Sequence, residues 1–288
     1  MSVNLHKNNK SESLLKIGII AGSGELPEQV IEACGRIGHS IYVIAIEDIT
    51  DKGVIKNIPH KWLHLGQIGK AIKTLKNESI ENIVMIGRVG RPSLSALKLD
   101  FSGLKLLTKL SKLKSQGDDE VFSTIIKFFE SSGFKVLGVE QVLEELMMPE
   151  GVLGDIEPDA IALNDIAIGV KAAREIGKLD IGQAVIIQRG NILGVEGAEG
   201  TDRLISRCKE LHTEGPGGIL VKMKKPHQDS RVDLPSVGVK TIENAKNSGL
   251  RGIAVEAGSA LIINKERVIQ KANELGIFIV GVGVNSDV

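Results

Sequence analysis

Cysteine is nearly absent from this sequence: Cys34 and Cys208 are the only two in 288 residues, each inside a segment patterned as a helix. Such a pair gives neither a disulfide framework nor a cysteine-built zinc site, and it suits a reducing cytoplasm. Net charge is absent too, since Lys plus Arg and Asp plus Glu both number 36. That balance supplies no general attraction to nucleic acid, so no nucleic-acid partner is expected. No uncharged apolar run reaches the roughly 18 residues of a membrane span, and the start, HKNNKSES, is polar throughout. Neither a signal peptide nor a membrane span is expected. The acid-bearing loops show no dedicated metal-ligand spacing, the histidines (His6, His39, His60, His64, His212 and His227) form no cluster, and no Gly-x-Ser-x-Gly turn occurs. Zinc hydrolysis and an activated serine are thereby disfavoured.

What the sequence does have is length and glycine. Its 288 residues exceed one ordinary core, and its 33 glycines imply many tight turns. From Lys16 short apolar runs alternate with amphipathic stretches, the mark of a mostly parallel α/β layer structure. KIGIIA, SIYVIAI, WLHL, residues 83–86 and FKVLGV read as strands, with helices at 27–36, 68–75, 103–113 and 118–131. MMPEGVLGDIEP carries two prolines and two glycines and breaks the periodicity, which makes residues 147–158 the expected interdomain linker. Beyond it QAVIIQ and ILGVE, joined by RGN, read as a β-hairpin. Strands GGILVKM, RGIAVEA, ALIIN and IFIVGVGV follow, interleaved with helices at 201–211, 239–248 and 265–275. The expected organisation is a polar tail (1–14), a Rossmann-like domain with a mostly parallel sheet (15–146), the linker, and a mixed-sheet α/β domain (159–288), with ligand between the domains.

Three groups of residues point to chemistry. In AGSGELP, Gly22, Ser23, Gly24 and Glu25 lie between a strand and a helix, where backbone N–H groups can face an anion. The position of a third fingerprint glycine is held by Pro27, although Glu47 and Asp48 stand at about the distance of a ribose-binding acid. Similar turns place Gly69 and Lys70, and then Arg88 to Arg91, after later strands, so all three can share the carboxyl edge of one sheet. In KMKKPHQDSRVDLP, residues Lys222, Lys225, Gln228, Asp229, Arg231 and Asp233 crowd one proline-bounded loop. Carboxylates there can hold a hard cation while lysines and arginine neutralise phosphate. A solvated surface loop is the plainer reading of the same residues. Glu196, Glu199, Thr201, Asp202 and Glu256 are candidates to converge on the same place. The stretch FSGLKLLTKLSKLKS combines a leucine stripe with lysines, which suits either a buried helix or a membrane interface.

IGIIAGSGELP, GRVGRP, REIGKLDIGQAVIIQRG, VEGAEGTD, RVDLPSVGVKTI and GIAVEAG, in that order between Lys16 and Gly283, resemble the LpxI family of UDP-2,3-diacylglucosamine pyrophosphatases. The resemblance implies magnesium-dependent attack of water on the α-phosphorus of UDP-2,3-diacylglucosamine, releasing UMP and lipid X during lipid A biosynthesis. It assigns Asp233 to the family's essential acid, as base or magnesium ligand, and Gly22 to Glu25 to its nucleotide loop. By the same route Gln183, Thr201, Asp202, Lys222 and Gln228 become substrate contacts. A cytoplasmic protein meeting the inner-membrane surface transiently is implied, and a homodimer is allowed for. Two positions depart from the pattern: Asp229 stands near where glutamate is expected, and Arg88 where a small polar residue is. The turn at Gly22 also leaves open an NAD(P)-dependent oxidoreductase or a nucleotide sensor without catalysis.

Overall fold

Every second residue of the first strand, Ile17, Ile19 and Ala21, is fully buried, as a strand covered by a helix layer requires. A computed structural model describes residues 14–55, 57–90, 97–113, 118–226, 229, 231 and 234–283. Asp233, Gln228, Arg91 and nearly all of the polar tail lie outside the described residues.

The first half runs β1 (Lys16–Ala21), α1 (Leu26–Ile37), β2 (Ser40–Ile46), β3 (His60–Leu63), α2 (Ile68–Asn77), β4 (Asn82–Ile86), α3 (Phe101–Leu110), α4 (Asp118–Glu130) and β5 (Lys135–Leu137). The strands form one parallel sheet in the order β3-β2-β1-β4-β5. Alternation divides their side chains between two cores. Ile17, Ile19, Val43 and Val84 meet Val30, Ile31 and Cys34 of α1, while Ile44, Ile83 and Val136 meet Leu75 of α2 and Ile126 and Phe129 of α4. The WLHL strand is corrected to His60–Leu63: the Gln67 side chain takes the N–H of His64, and Gly66 turns the chain at φ 100°. The leucine-rich helix begins earlier than its apolar stripe suggested, because Asp100 caps it through the N–H of Gly103.

The second half continues with β6 (Gly151–Leu153), α5 (Ala160–Lys178), β7 (Ala184–Gln188), β8 (Asn191–Val195), α6 (Thr201–Cys208), β9 (Gly218–Lys222), β10 (Ser236–Val237), α7 (Val239–Asn247), β11 (Leu250–Glu256), β12 (Leu261–Ile262), α8 (Lys265–Leu275) and β13 (Phe278–Val282). Its main sheet has the order β6-β13-β11-β9-β7-β8, mixed as expected, with β9, β11 and β13 parallel and β7 antiparallel to both β8 and β9. α5 covers one face through Ile166 and Val170; Leu204, Ile242 and Val268 of α6, α7 and α8 cover the other. The β7–β8 turn is held by the buried Asp165 carboxylate, which accepts the N–H groups of Arg189 and Gly190 at 2.9 and 2.7 Å.

The segment 147–158 connects the sheets but is not a bare linker, since β6 pairs antiparallel with β13 and Met148 is buried and bonded to Ala260. ALIIN shortens to β12, which leaves the main sheet and pairs with β10. That small pair faces the first half: Leu261 belongs to the core cluster of β1 and α1, with Leu234 and Met147 packed on it.

Candidate functional site

In a parallel sheet of this order the chain leaves β1 and β4 in opposite directions, and their carboxyl ends are where such sheets bind ligands. The loops after those strands meet there. Gly22 N–H donates to Ile86 O at 2.7 Å, Ser23 N–H to Arg88 O at 2.9 Å, and Arg88 N–H to Ser23 O at 2.9 Å. A Cβ on Gly22 would lie 2.6 Å from Arg88 O, and one on Gly87 2.9 Å from Pro27, so both glycines serve close backbone approach. This corrects the phosphate cradle. The N–H groups of Gly22 and Ser23 and the Ser23 hydroxyl are already engaged by the β4 loop. Among the described residues, no acceptor meets the N–H groups of Gly24, Glu25 or Leu26. Gly24, at φ 99° with open space at its Cβ position, presents these groups at the start of α1. Pro27 fills the third-glycine position by packing on Gly87, which argues against the dinucleotide reading.

Gly69 and Lys70 sit on the same edge but beyond β2, roughly 10 Å from β1 at the usual strand spacing. Their turn is occupied by the chain's own anion. Asp100 accepts the N–H of Lys70 at 3.0 Å and of Gly103 at 2.8 Å, so one carboxylate caps both α2 and α3. Burial works to raise its pKa and is outweighed by N–H donors from Gly103, Gly69, Lys70 and Ser102, which hold the carboxyl below its ordinary range. A lowered pKa gives stability that is complete above the ordinary carboxylate range and is lost as pH falls through the folded value. The melting-temperature gap between wild type and Asp100→Ala is therefore expected to be widest near neutral pH and to shrink below about pH 4. A gap that stayed constant on acidification would count against the double cap.

In the second domain, mixed strand directions bring the start of β7 and the ends of β8, β9 and β11 to one edge. Gln183, Glu196, Lys222 and Glu256 stand there, and the last three are buried charged residues. Glu196 accepts the Gln183 N–H at 3.0 Å with one oxygen and the Thr201 hydroxyl at 2.7 Å with the other. Glu196→Ala leaves both donors without this acceptor, an expected loss of about 2–4 kcal/mol in urea unfolding, with Glu196→Gln costing less. Glu256 accepts the Lys224 N–H at 2.8 Å and anchors the start of the charged loop. The Gln183 side-chain oxygen is buried with no partner among the described residues, an acceptor that suits a ligand donor. Thr201 and Asp202 are engaged within the chain, Thr201 by Glu196 and Asp202 by Asn244 at 3.0 Å.

The charged loop is tied to both domains. Arg231 donates to Asp229 through Nε at 2.9 Å and Nη2 at 2.7 Å, and to Glu130 of α4 at 2.7 Å. Hydrogen bonds from Arg231 lower the Asp229 pKa against burial, so this carboxylate is committed to its neighbour. Lys222 reaches Ser236 O at 3.4 Å, where β10 begins. Asn264 N–H, just past β12, donates to Gln29 of α1 at 2.8 Å. The Lys222 edge, the small sheet and the start of α1 thus form a continuous path across the interface.

Among the described residues no three His, Cys, Asp or Glu side chains gather around a common metal position. Both cysteines are buried, and burial pushes the Cys34 thiol up to about 11. No helix among the described residues is long and apolar enough to cross a membrane. Thr50 and Asp100 escaped the sequence reading. Thr50 joins the ends of β1 and β2 through Ala21 O and Ile46 N–H, and only its place two residues after Asp48 hinted at a turn.

A doubly wound domain with an open helix start, facing a mixed sheet whose edge buries a lysine and two glutamates, defines a two-domain α/β protein. The chain belongs to the LpxI family: the LpxI N-terminal domain matches residues 16–146 and the LpxI C-terminal domain residues 149–280. It is 38% identical over 273 residues to a Caulobacter vibrioides protein named UDP-2,3-diacylglucosamine pyrophosphatase LpxI, covering 93% of this chain and 97% of that protein.

Proposed function

We propose that this chain hydrolyses UDP-2,3-diacylglucosamine at the α-phosphorus during lipid A biosynthesis, working in the cytoplasm and at the inner-membrane surface. Family membership makes it a hydrolase of a diphosphate bond. The observation that carries the finer reading is the buried Lys222, reaching Ser236 beside the interface onto which α1 also opens. A diphosphate needs cationic and N–H partners held before it arrives, since preorganised groups stabilise developing charge without reorganising.

In this reading the N–H groups at Gly24 to Leu26 hold one phosphate and Lys222 neutralises the other, while Gln183 orients the ligand. Water attacks the α-phosphorus and the bond to the bridging anhydride oxygen breaks. UMP keeps the water oxygen, lipid X departs with the bridging oxygen, and the water proton passes to solvent through a carboxylate. Asp233 is assigned to that carboxylate or to a magnesium ligand. Magnesium takes one or two protein carboxylates beside water and phosphate, and Asp233 would hold it. When bound, it supplies positive charge to the phosphate oxygens.

The test is product analysis in heavy-oxygen water with and without magnesium. Label in UMP is expected. Label in lipid X, release of UDP, or no turnover of this substrate would overturn the reading.

A further inference from the structure

Helix α3 turns an unusual face outward. Gly103 and Leu106 are buried and Leu107 and Leu110 half-buried, which satisfies the core with one side of the helix. Yet Phe101 is 85% exposed and Leu104 53% exposed. At 100° per residue, Phe101 centres the outer side, with Leu104 and Thr108 to its left and Lys105 and Lys109 to its right, and Lys112 follows, exposed, in the turn past the helix end. No acidic residue occurs from Phe101 to Gln116, and Asp100 is turned inward to cap α2 and α3. The leucine stripe read from the sequence is thus largely core, and the exposed apolar groups lie opposite it.

We propose that this face of α3, Phe101 and Leu104 with Lys105 and Lys112, docks the protein on an anionic bilayer surface. Resting on the hydrolase reading, it names the surface by which the protein meets the membrane that holds its substrate. A large exposed aromatic flanked by lysines on a short helix is the composition of an interfacial anchor: the ring enters the headgroup layer while ammonium groups meet lipid phosphate. An acyl chain carries no charge for these lysines to meet, whereas an anionic bilayer surface offers phosphate beside an apolar layer, so the occupant is the membrane surface. α3 is capped by Asp100, whose carboxylate also caps α2 at the carboxyl edge of the sheet. Docking there would bring that edge toward the lipid.

Flotation of the full chain with vesicles tests this, comparing phosphatidylcholine alone with its mixture with phosphatidylglycerol. Wild type is expected to float with the anionic vesicles and not with the neutral ones. Phe101→Ser is expected to reduce partitioning about tenfold, and Lys105→Gln or Lys112→Gln about fivefold each. Melting temperature should be unchanged, because the substituted side chains are exposed. UMP release from substrate dispersed in detergent should also stay at the wild-type rate in Phe101→Ser. Equal binding of wild type and Phe101→Ser to anionic vesicles would overturn the proposal. So would loss of turnover on detergent-dispersed substrate, which would give the face to the acyl chains. The vesicle measurement does not depend on turnover, so it still reads the surface if the substrate assignment fails.

Discussion

Asp233→Ala is expected to remain folded, to bind UDP-2,3-diacylglucosamine nearly as well as wild type, and to release UMP on the order of 10²–10⁴-fold more slowly. The charged loop has several anchors among the described residues. Glu256 holds its start, Arg231 binds Asp229 and Glu130, and Leu234 packs on the first domain's core. A carboxylate that receives a proton or holds magnesium acts mostly where charge develops in the transition state, so kcat should fall far more than KM rises. Asp202→Ala is the control for a carboxylate engaged with Asn244, and its loss should be small. Asp229→Ala releases Arg231 and should cost stability more than chemistry. Wild-type turnover by Asp233→Ala would refute the assignment, and turnover indifferent to a chelator would remove magnesium from the mechanism.

Lys222→Met should lower kcat/KM by about 10²–10³-fold, the scale seen when a preorganised charge-stabilising donor is lost. Methionine keeps the length and apolar stem of a side chain that is buried at the end of β9, so melting temperature is the check that the fold survives. Lys222→Arg should not restore full activity, because a planar guanidinium does not fit where a compact ammonium reaches Ser236. Activity within a few fold of wild type for Lys222→Met would make this lysine a structural cation and move the phosphate site elsewhere.

The layers of both domains were legible because strands such as KIGIIA and QAVIIQ are buried on both faces and therefore apolar without interruption. The hairpin was legible through Arg-Gly-Asn between two apolar runs. Less could be read where a segment's partner is distant in sequence. β6 pairs with β13, and β12 with β10, through backbone bonds that leave no side-chain period, so the linker gained a strand and ALIIN shortened to a strand of a separate small sheet. At the site, burial singled out Lys222, Glu196 and Glu256 among many charged residues, which composition could not do. Gly22 and Ser23 illustrate how little such a turn says about its partner. A strand-to-helix glycine turn shows that N–H groups are exposed to something, and here two of them meet the neighbouring loop. Lys70 shows the same limit, since its N–H belongs to Asp100, thirty residues away.

Leu261, only 2% exposed, belongs to the second half by chain and to the first half by packing. Separation of the halves would leave an apolar vacancy beside β1 and α1 and expose Leu234 and Met147, which now cover it. The two domains should therefore melt as one cooperative unit. A fragment of residues 16–146 would be expected to aggregate or to unfold at lower denaturant than the intact chain, since its core is completed in trans by residues it does not contain.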